Sequence, residues 1–196
     1  LDYFRELLEY ELILVTAPAG YGKTSLLIDV AHQIEWPVCW FAIDPLDSDP
    51  QRFLIHFVAA IARQFTAFGR RSAPAVQTVI QSKADLDPLV TEIVDDIYQH
   101  IHEPFLLVLD DFHLAERELV SYFISKFIQQ VDDTCRLVLT SRTRLALPDL
   151  ALMVGRSQVG AVRCQQLAFT AAEIQALVQQ NYHQHSSIDT AAEIGR

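Results

Sequence analysis

Apolar residues along this chain fall into two kinds of run. Short, mostly apolar stretches occur at Glu11–Thr16, Val38–Ile43, Phe105–Leu109 and Arg136–Thr140, and a more mixed one at roughly Ala161–Leu167. Runs of that length predict strands buried on both faces. Between them apolar residues recur at helical spacing. Phe53, Leu54, Phe57, Val58, Ile61 and Phe65 form one stripe, and Leu89, Val90, Ile93, Val94, Ile97 and Ile101 a second. Leu119, Val120, Phe123, Ile124, Phe127 and Ile128 form a third. Each stripe predicts a helix with one face in the core. A further helix is predicted from Lys23 to about Glu35. Asp49-Pro50 and Asp87-Pro88 read as caps followed by first-turn prolines. Residues 66–85 read as a looser connection with a short helix after Ser72, and a last helix is predicted from Thr170, with Glu173 completing a capping box. Strands alternating with helices predict an α/β fold: a mostly parallel central sheet flanked by helices, a three-layer sandwich.

Composition narrows the class. A chain of 196 residues with 51% hydrophobic and 20% charged residues suits one folded domain, or one with a fragment of a second. A formal net charge of −10 argues against direct nucleic-acid binding, which needs clustered Lys and Arg. The basic pair Arg70-Arg71 reads as a solvated loop charge. Cys39, Cys135 and Cys164 are dispersed, which suits buried thiols in a reducing compartment. No apolar run approaches the roughly 18 residues of a membrane span. The chain starts at Leu1 and stops in a helical-looking stretch, so it is expected to be a piece of a longer cytoplasmic protein.

Three segments carry candidate chemistry. Ala17-Pro18-Ala19-Gly20-Tyr21-Gly22-Lys23-Thr24-Ser25 joins a predicted strand to a predicted helix. Gly20 and Gly22 let backbone fold around an anion, and amides of the loop and helix start point at phosphates. Lys23 supplies a positive charge to the β- and γ-phosphates, and Thr24 a hydroxyl to magnesium. Ala19, Gly20, Tyr21, Gly22, Lys23, Thr24 and Ser25 are therefore the candidate nucleotide-binding residues of a P-loop. The usual pattern opens on glycine, where this chain has Ala17.

Phe105–Leu109 ends in Asp110-Asp111. Acids closing a buried strand need a partner at its carboxyl edge, which is where open α/β sheets bind ligands. Asp110 is the candidate magnesium ligand beside Thr24, and Asp111 the candidate for orienting or activating an attacking water. The alternative for Asp111 is a cap on the helix that follows. Leu139-Thr140-Ser141-Arg142 puts a hydroxyl pair and an arginine at the next strand end. Arg142 is a candidate contact to the γ-phosphate; its alternative is a loop arginine at the surface.

These segments together resemble the ATPase domain of MalT-like, large LuxR-type transcriptional regulators, within the STAND class of P-loop ATPases. Trp40-Phe41-Ala42-Ile43-Asp44, with Asp49 and Arg52-Phe53, is similar to their second strand and its helix. Leu109-Asp110-Asp111-Phe112-His113 resembles their paired-acid strand end, Leu139-Thr140-Ser141-Arg142 their sensor segment, and Leu167-Ala168-Phe169-Thr170 with Glu173 their last strand and helix start. The family's loops often carry alanine where this chain has Ala17. The resemblance implies that residues 1–182 are the nucleotide-binding domain and residues 183–196 the start of a helical lid. It implies a sensor strand lying between the phosphate-loop strand and the paired-acid strand. It implies ATP and ADP binding with Mg2+, and slow hydrolysis used as a timer on a switch. A winged helix, a repeat-built sensor region and a C-terminal helix-turn-helix are expected further on. DNA contact would belong to that last domain, and inducer-driven self-association to the full protein.

His100-x-His102 and His183-x-His185 lack partnering ligands at metal spacing and read as solvated, and His113 is expected to pack or hydrogen-bond beside the site. Two other functions stay open from sequence: the same switch wired to a kinase or cyclase output, and a metabolic phosphotransferase or AAA-type motor. No arginine-rich lid segment supports a phosphotransferase.

Overall fold

Strands and helices alternate as the apolar pattern requires. The computed structural model describes residues 2–167. In chain order these are α1 (Asp2–Leu7), β1 (Leu12–Thr16), α2 (Lys23–Gln33), β2 (Val38–Ala42), α3 (Pro50–Ala62), α4 (Ser72–Ala75), α5 (Lys83–His100), β3 (Phe105–Asp110), α6 (Glu118–Gln130), β4 (Cys135–Ser141), α7 (Leu150–Gly155), β5 (Val159–Arg163) and α8 (Cys164–Leu167). Short 3₁₀ turns at Pro45–Ser48 and Phe112–Leu114 follow β2 and β3. All pairings in the five-stranded sheet are parallel, in the order β2-β3-β4-β1-β5. The sensor strand β4 lies between β1 and β3, as the resemblance implies.

Side chains alternate across the strands and so divide the core in two. Leu12, Leu107, Leu109, Leu137 and Leu139 face the layer of α3, α5 and α6. There Phe57 meets Phe123 and Phe127 edge to face, each at 5.1 Å between ring centres. Ile13, Val15, Leu106, Val108 and Val138 face the opposite layer with Leu27 and Val30 of α2 and Phe4 and Leu7 of α1. Every residue of β3 is buried, the mark of a strand covered on both sides.

Three expectations need correcting. The helix expected from Asp87-Pro88 starts one turn earlier, at Lys83. The Asp85 carboxylate accepts from the Gln81 and Ser82 amides and the Ser82 hydroxyl at 2.8–3.0 Å, a stronger start signal. Pro88 then sits inside the helix, and Asp87 accepts instead from the Tyr122 hydroxyl at 2.8 Å. The last strand runs Val159–Arg163, and Cys164–Leu167 is helical. Its length is set by β1, whose five residues pair from Leu12↔Val159 to Thr16↔Arg163. Cys39 and Cys135 are buried as expected, while Cys164 is part-exposed. Burial pushes the Cys39 thiol up to about 12.

The helices α1 and α7 were not anticipated. The helix expected from Thr170, and residues 183–196, lie outside the described residues. Among the described residues no helix is long and apolar enough to cross a membrane.

Candidate functional site

Parallel register brings the carboxyl ends of β1, β4 and β3 side by side. Val15 pairs with Thr140, and Leu109 with Leu139. The loop leaving β1 continues that ladder, its Ala17 amide donating to the Ser141 carbonyl at 3.2 Å. Phosphate loop, paired acids and sensor segment are thereby gathered at one sheet edge, the place where open α/β sheets bind ligands.

Within the loop, Gly20 and Gly22 have φ of 83° and 74°. Both lie in the left-handed region that only glycine enters freely. A Cβ at either would meet nothing within 4 Å, so backbone conformation is what demands glycine here. Helix α2 starts at Lys23 without a side-chain cap. Its first-turn N–H groups are therefore left for an acceptor that is not a cap, which suits an anion. Lys23 is buried at 7% relative exposure. Its Nζ donates to the carbonyls of Ala17 and Pro18 at 2.9 and 3.2 Å, and these bonds offset the cost of burying an ammonium.

Across from the loop, a hydrogen-bonded chain joins three elements. Thr24 Oγ1 of α2 donates to Asp110 Oδ2 at 3.0 Å. Thr140 Oγ1 of β4 donates to Asp110 Oδ1 at 2.6 Å and accepts from the Asp111 amide at 2.7 Å. Asp111 takes φ 58°, and its side chain caps nothing. The carboxylate instead accepts from Arg142 Nη2 at 3.2 Å. Arg142 follows β4 directly and is about half-exposed, at 49% of its side chain. His113 stands beside them, its Nδ1 buried and 3.8 Å from Asp111 Oδ1. Thus Lys23, Thr24, Asp110, Asp111 and Arg142 all converge on one edge with the glycine loop.

Sequence reasoning missed two groups of contacts here. Thr140 was noted only as half of a hydroxyl pair, yet it touches both acids. At the end of β2, the buried Asp47 accepts from Arg52 Nε at 2.9 Å, lies 2.8 Å from His56 Nδ1 and accepts from the Asp44 amide at 2.9 Å. Arg52 also reaches Asp44 at 2.8 Å. The Leu46 amide, with Arg52, holds the Asp44 carboxyl below its ordinary range. This cluster abuts the site, because the Ile43 amide donates to the Asp110 carbonyl at 3.0 Å. The signal was the spacing Asp44, Asp47, Arg52, His56 across a loop into a helix.

The donors present suit magnesium. Thr24 and Asp110 offer hydroxyl and carboxylate oxygens, the hard ligands that this ion takes. Among the described residues no cluster of three His, Cys, Asp or Glu side chains stands ready to hold a metal by itself. His100, expected to be solvated, is instead part-buried and pairs with the buried Asp96 at 2.9 Å; His183 and His185 lie outside the described residues.

A parallel β2-β3-β4-β1-β5 sheet with flanking helices and a glycine-lysine-threonine loop at its carboxyl edge defines a P-loop α/β domain, a three-layer sandwich. No protein-family model matches the chain. In sequence it is homologous to the HTH-type transcriptional regulator MalT. It is 32% identical over 164 residues to MalT of Serratia proteamaculans (strain 568), covering 84% of this chain and 18% of that protein. It is 32% identical over 166 residues to MalT of Cronobacter sakazakii (strain ATCC BAA-894), with the same two shares of 84% and 18%. The chain thus spans 18% of the length of these relatives. The resemblance drawn from the motifs is borne out. Among solved structures, that titled "Structure of Drosophila ORC bound to DNA" matches with a TM-score of 0.52 at 11% identity, over 83% of this chain and 85% of that one. That likeness speaks to fold alone.

Proposed function

We propose that this chain is the nucleotide-binding switch domain of a MalT-like transcriptional regulator, binding ATP with magnesium and hydrolysing it slowly to ADP. The observation that carries this reading is the 3.0 Å bond from Thr24 Oγ1 to Asp110 Oδ2. It joins the residue after the loop lysine to the acid ending a buried strand, with two left-handed glycines alongside. Neither core packing nor helix capping requires that juxtaposition.

In this reading the amides from Gly20 to Ser25 take the phosphates at the start of α2. Lys23 leaves the Ala17 and Pro18 carbonyls for the β- and γ-phosphates. Thr24 and Asp110 hold the cation. Bound there, magnesium would neutralise phosphate charge and favour the loss of the γ-phosphoryl group. Asp111 orients or deprotonates the attacking water. Arg142 exchanges Asp111 for the γ-phosphate and so distinguishes ATP from ADP. Slow turnover fits a switch, since each ligand biases the conformation it contacts better. DNA binding and inducer-driven self-association would belong to other parts of a longer protein, placed in the cytoplasm.

Calorimetric titration of ATP and ADP, with Mg2+ and with a chelator, tests the reading. ATP binding that Mg2+ strengthens, with that strengthening lost in Asp110→Asn and binding in chelator unchanged, is the expected result. No heat of binding from either nucleotide would overturn it.

A further inference from the structure

We infer that Thr140 is a positioning residue: its single hydroxyl orients Asp110 and fixes the backbone of Asp111. The inference rests on the nucleotide reading above.

Thr140 is completely buried near the carboxyl end of β4. Its Oγ1 lies 2.6 Å from Asp110 Oδ1 and 2.7 Å from the Asp111 nitrogen. A hydroxyl has one hydrogen to give and lone pairs to receive. The Asp111 amide can only donate, so Thr140 accepts from it. Its own hydrogen is thereby free for Asp110, whose ionised carboxylate can only accept. Each polar atom of the trio is paired, and the direction of each bond is determined.

Two consequences follow. The two oxygens of Asp110 are assigned different work: Oδ1 is tied inward to β4, and Oδ2 is turned to Thr24 and the phosphate loop. When Thr24 turns to a cation, Thr140 remains as the side-chain donor holding Asp110 in that orientation. Asp111, meanwhile, stands at φ 58°, a left-handed conformation that costs an L residue energy. The bond from its amide to Thr140 holds it there and so aims its side chain. Ser141, the other half of the hydroxyl pair, is occupied locally. It donates to the Thr143 carbonyl at 2.6 Å and accepts from the Thr143 amide at 3.1 Å. The two hydroxyls are therefore not interchangeable: Ser141 shapes the turn that presents Arg142, and Thr140 holds the acids.

Thr140→Ser keeps the hydroxyl and drops the methyl; Thr140→Val keeps the shape and drops the hydroxyl. Each would be titrated with ATP in Mg2+ and in chelator, then followed through a single turnover. Thr140→Ser is expected to match wild type within about threefold. Thr140→Val is expected to bind ATP normally in chelator. The Mg2+ enhancement and the hydrolysis rate should each fall at least about tenfold, the scale of one lost charge-assisted bond. Should the valine variant not fold, Thr140→Cys, with a weaker donor of similar size, should show a partial loss of both. A valine or cysteine variant with wild-type Mg2+ enhancement and turnover overturns the proposal. So does a serine variant as impaired as valine, since the methyl would then be what matters. Wild-type protein that binds no ATP in Mg2+ would sink the nucleotide reading itself and this role with it. Wild-type binding with all variants alike would sink only the role of Thr140.

Discussion

Arg142 Nη2 donates to Asp111 Oδ2 at 3.2 Å, so the two residues proposed to act on the γ-phosphate and on the attacking water are here paired with one another. Both are partly exposed, at 49% and 31% of their side chains. A pair so placed is worth little to stability, about 0–1 kcal/mol. It is weak enough for a phosphoryl group to replace. ATP and ADP differ at that position by one phosphoryl group, and one charge-assisted bond is worth roughly 1.5–3 kcal/mol. Arg142→Ala should therefore weaken ATP about tenfold to hundredfold, leave ADP nearly unchanged, and leave the melting temperature where it was. The ratio of the two dissociation constants, measured by calorimetry with Mg2+, checks it. An unaltered ratio would remove Arg142 as the sensor.

Asp111→Asn should bind ATP as wild type does and lose most hydrolysis. Asparagine is, with aspartate, among the residues that best tolerate positive φ, so the strained backbone at φ 58° is preserved. It cannot accept a proton or carry charge, and general-base catalysis is worth about 10²–10⁴-fold. Single-turnover hydrolysis of pre-bound ATP is the measurement. A wild-type rate would mean that another group holds the water.

Lys23→Ala should lower ATP affinity at least about tenfold. Because Lys23 is buried against the Ala17 and Pro18 carbonyls, its removal also frees the loop it pins. ADP affinity should consequently fall too. The helix behind it persists, since alanine favours helix, and far-UV circular dichroism should not change. Titration of a fluorescent ATP analogue into the folded variant decides the matter; undiminished binding would refute the loop assignment.

The readable and unreadable parts of this molecule differ in physical kind. The unbroken apolar run Phe105–Leu109 could only be a strand covered twice, and it is buried throughout. Gly20, Gly22 and Lys23 announced an anion loop because few other uses require glycine twice before a helix-opening lysine. Element ends were harder, because contacts distant in sequence set them. The start of α5 depends on which of two acid signals wins, and Asp85 wins by gathering three donors. The end of β5 depends on the length of β1. Thr140 was the deepest omission. A threonine ending a strand has no distinguishing local pattern, and its partners Asp110 and Asp111 lie 30 and 29 residues away. The burial of Lys23 was equally hidden, since its partners are carbonyls that every residue possesses.

A last prediction concerns Asp96, a buried acid of α5. Its side chain has 0% exposure, yet it is the anchor of the long connection before α5. Oδ2 accepts from the Gly69 and Ser72 amides at 3.1 Å each and from the Ser72 hydroxyl. Oδ1 lies 2.9 Å from His100 Nδ1, one turn along the same helix. Burial works to raise its pKa. The Ser72 hydroxyl, the two amides and the charge on His100 together outweigh burial and hold it below the ordinary carboxylate value. The sign of the pH effect follows. An unfolded aspartate titrates near 3.9, and the folded one lies lower, so the unfolded chain takes up the proton first. The stabilisation is fully present above about pH 5 and is lost as pH falls below 3.9 towards the folded value. Asp96→Asn keeps the size but cannot carry the charge that these donors were placed to meet. At neutral pH it should cost at least about 1.5 kcal/mol, the low end for one hydrogen bond to a charged group. The variant should also lose that share of the acid-limb slope. Urea unfolding of both proteins at several pH values between about 3 and 7 makes the comparison. If the two stability curves run parallel down to pH 3, Asp96 does not carry the acid sensitivity. The connection before α5 would then be held by its apolar contacts, Phe68, Val76 and Ile80, alone.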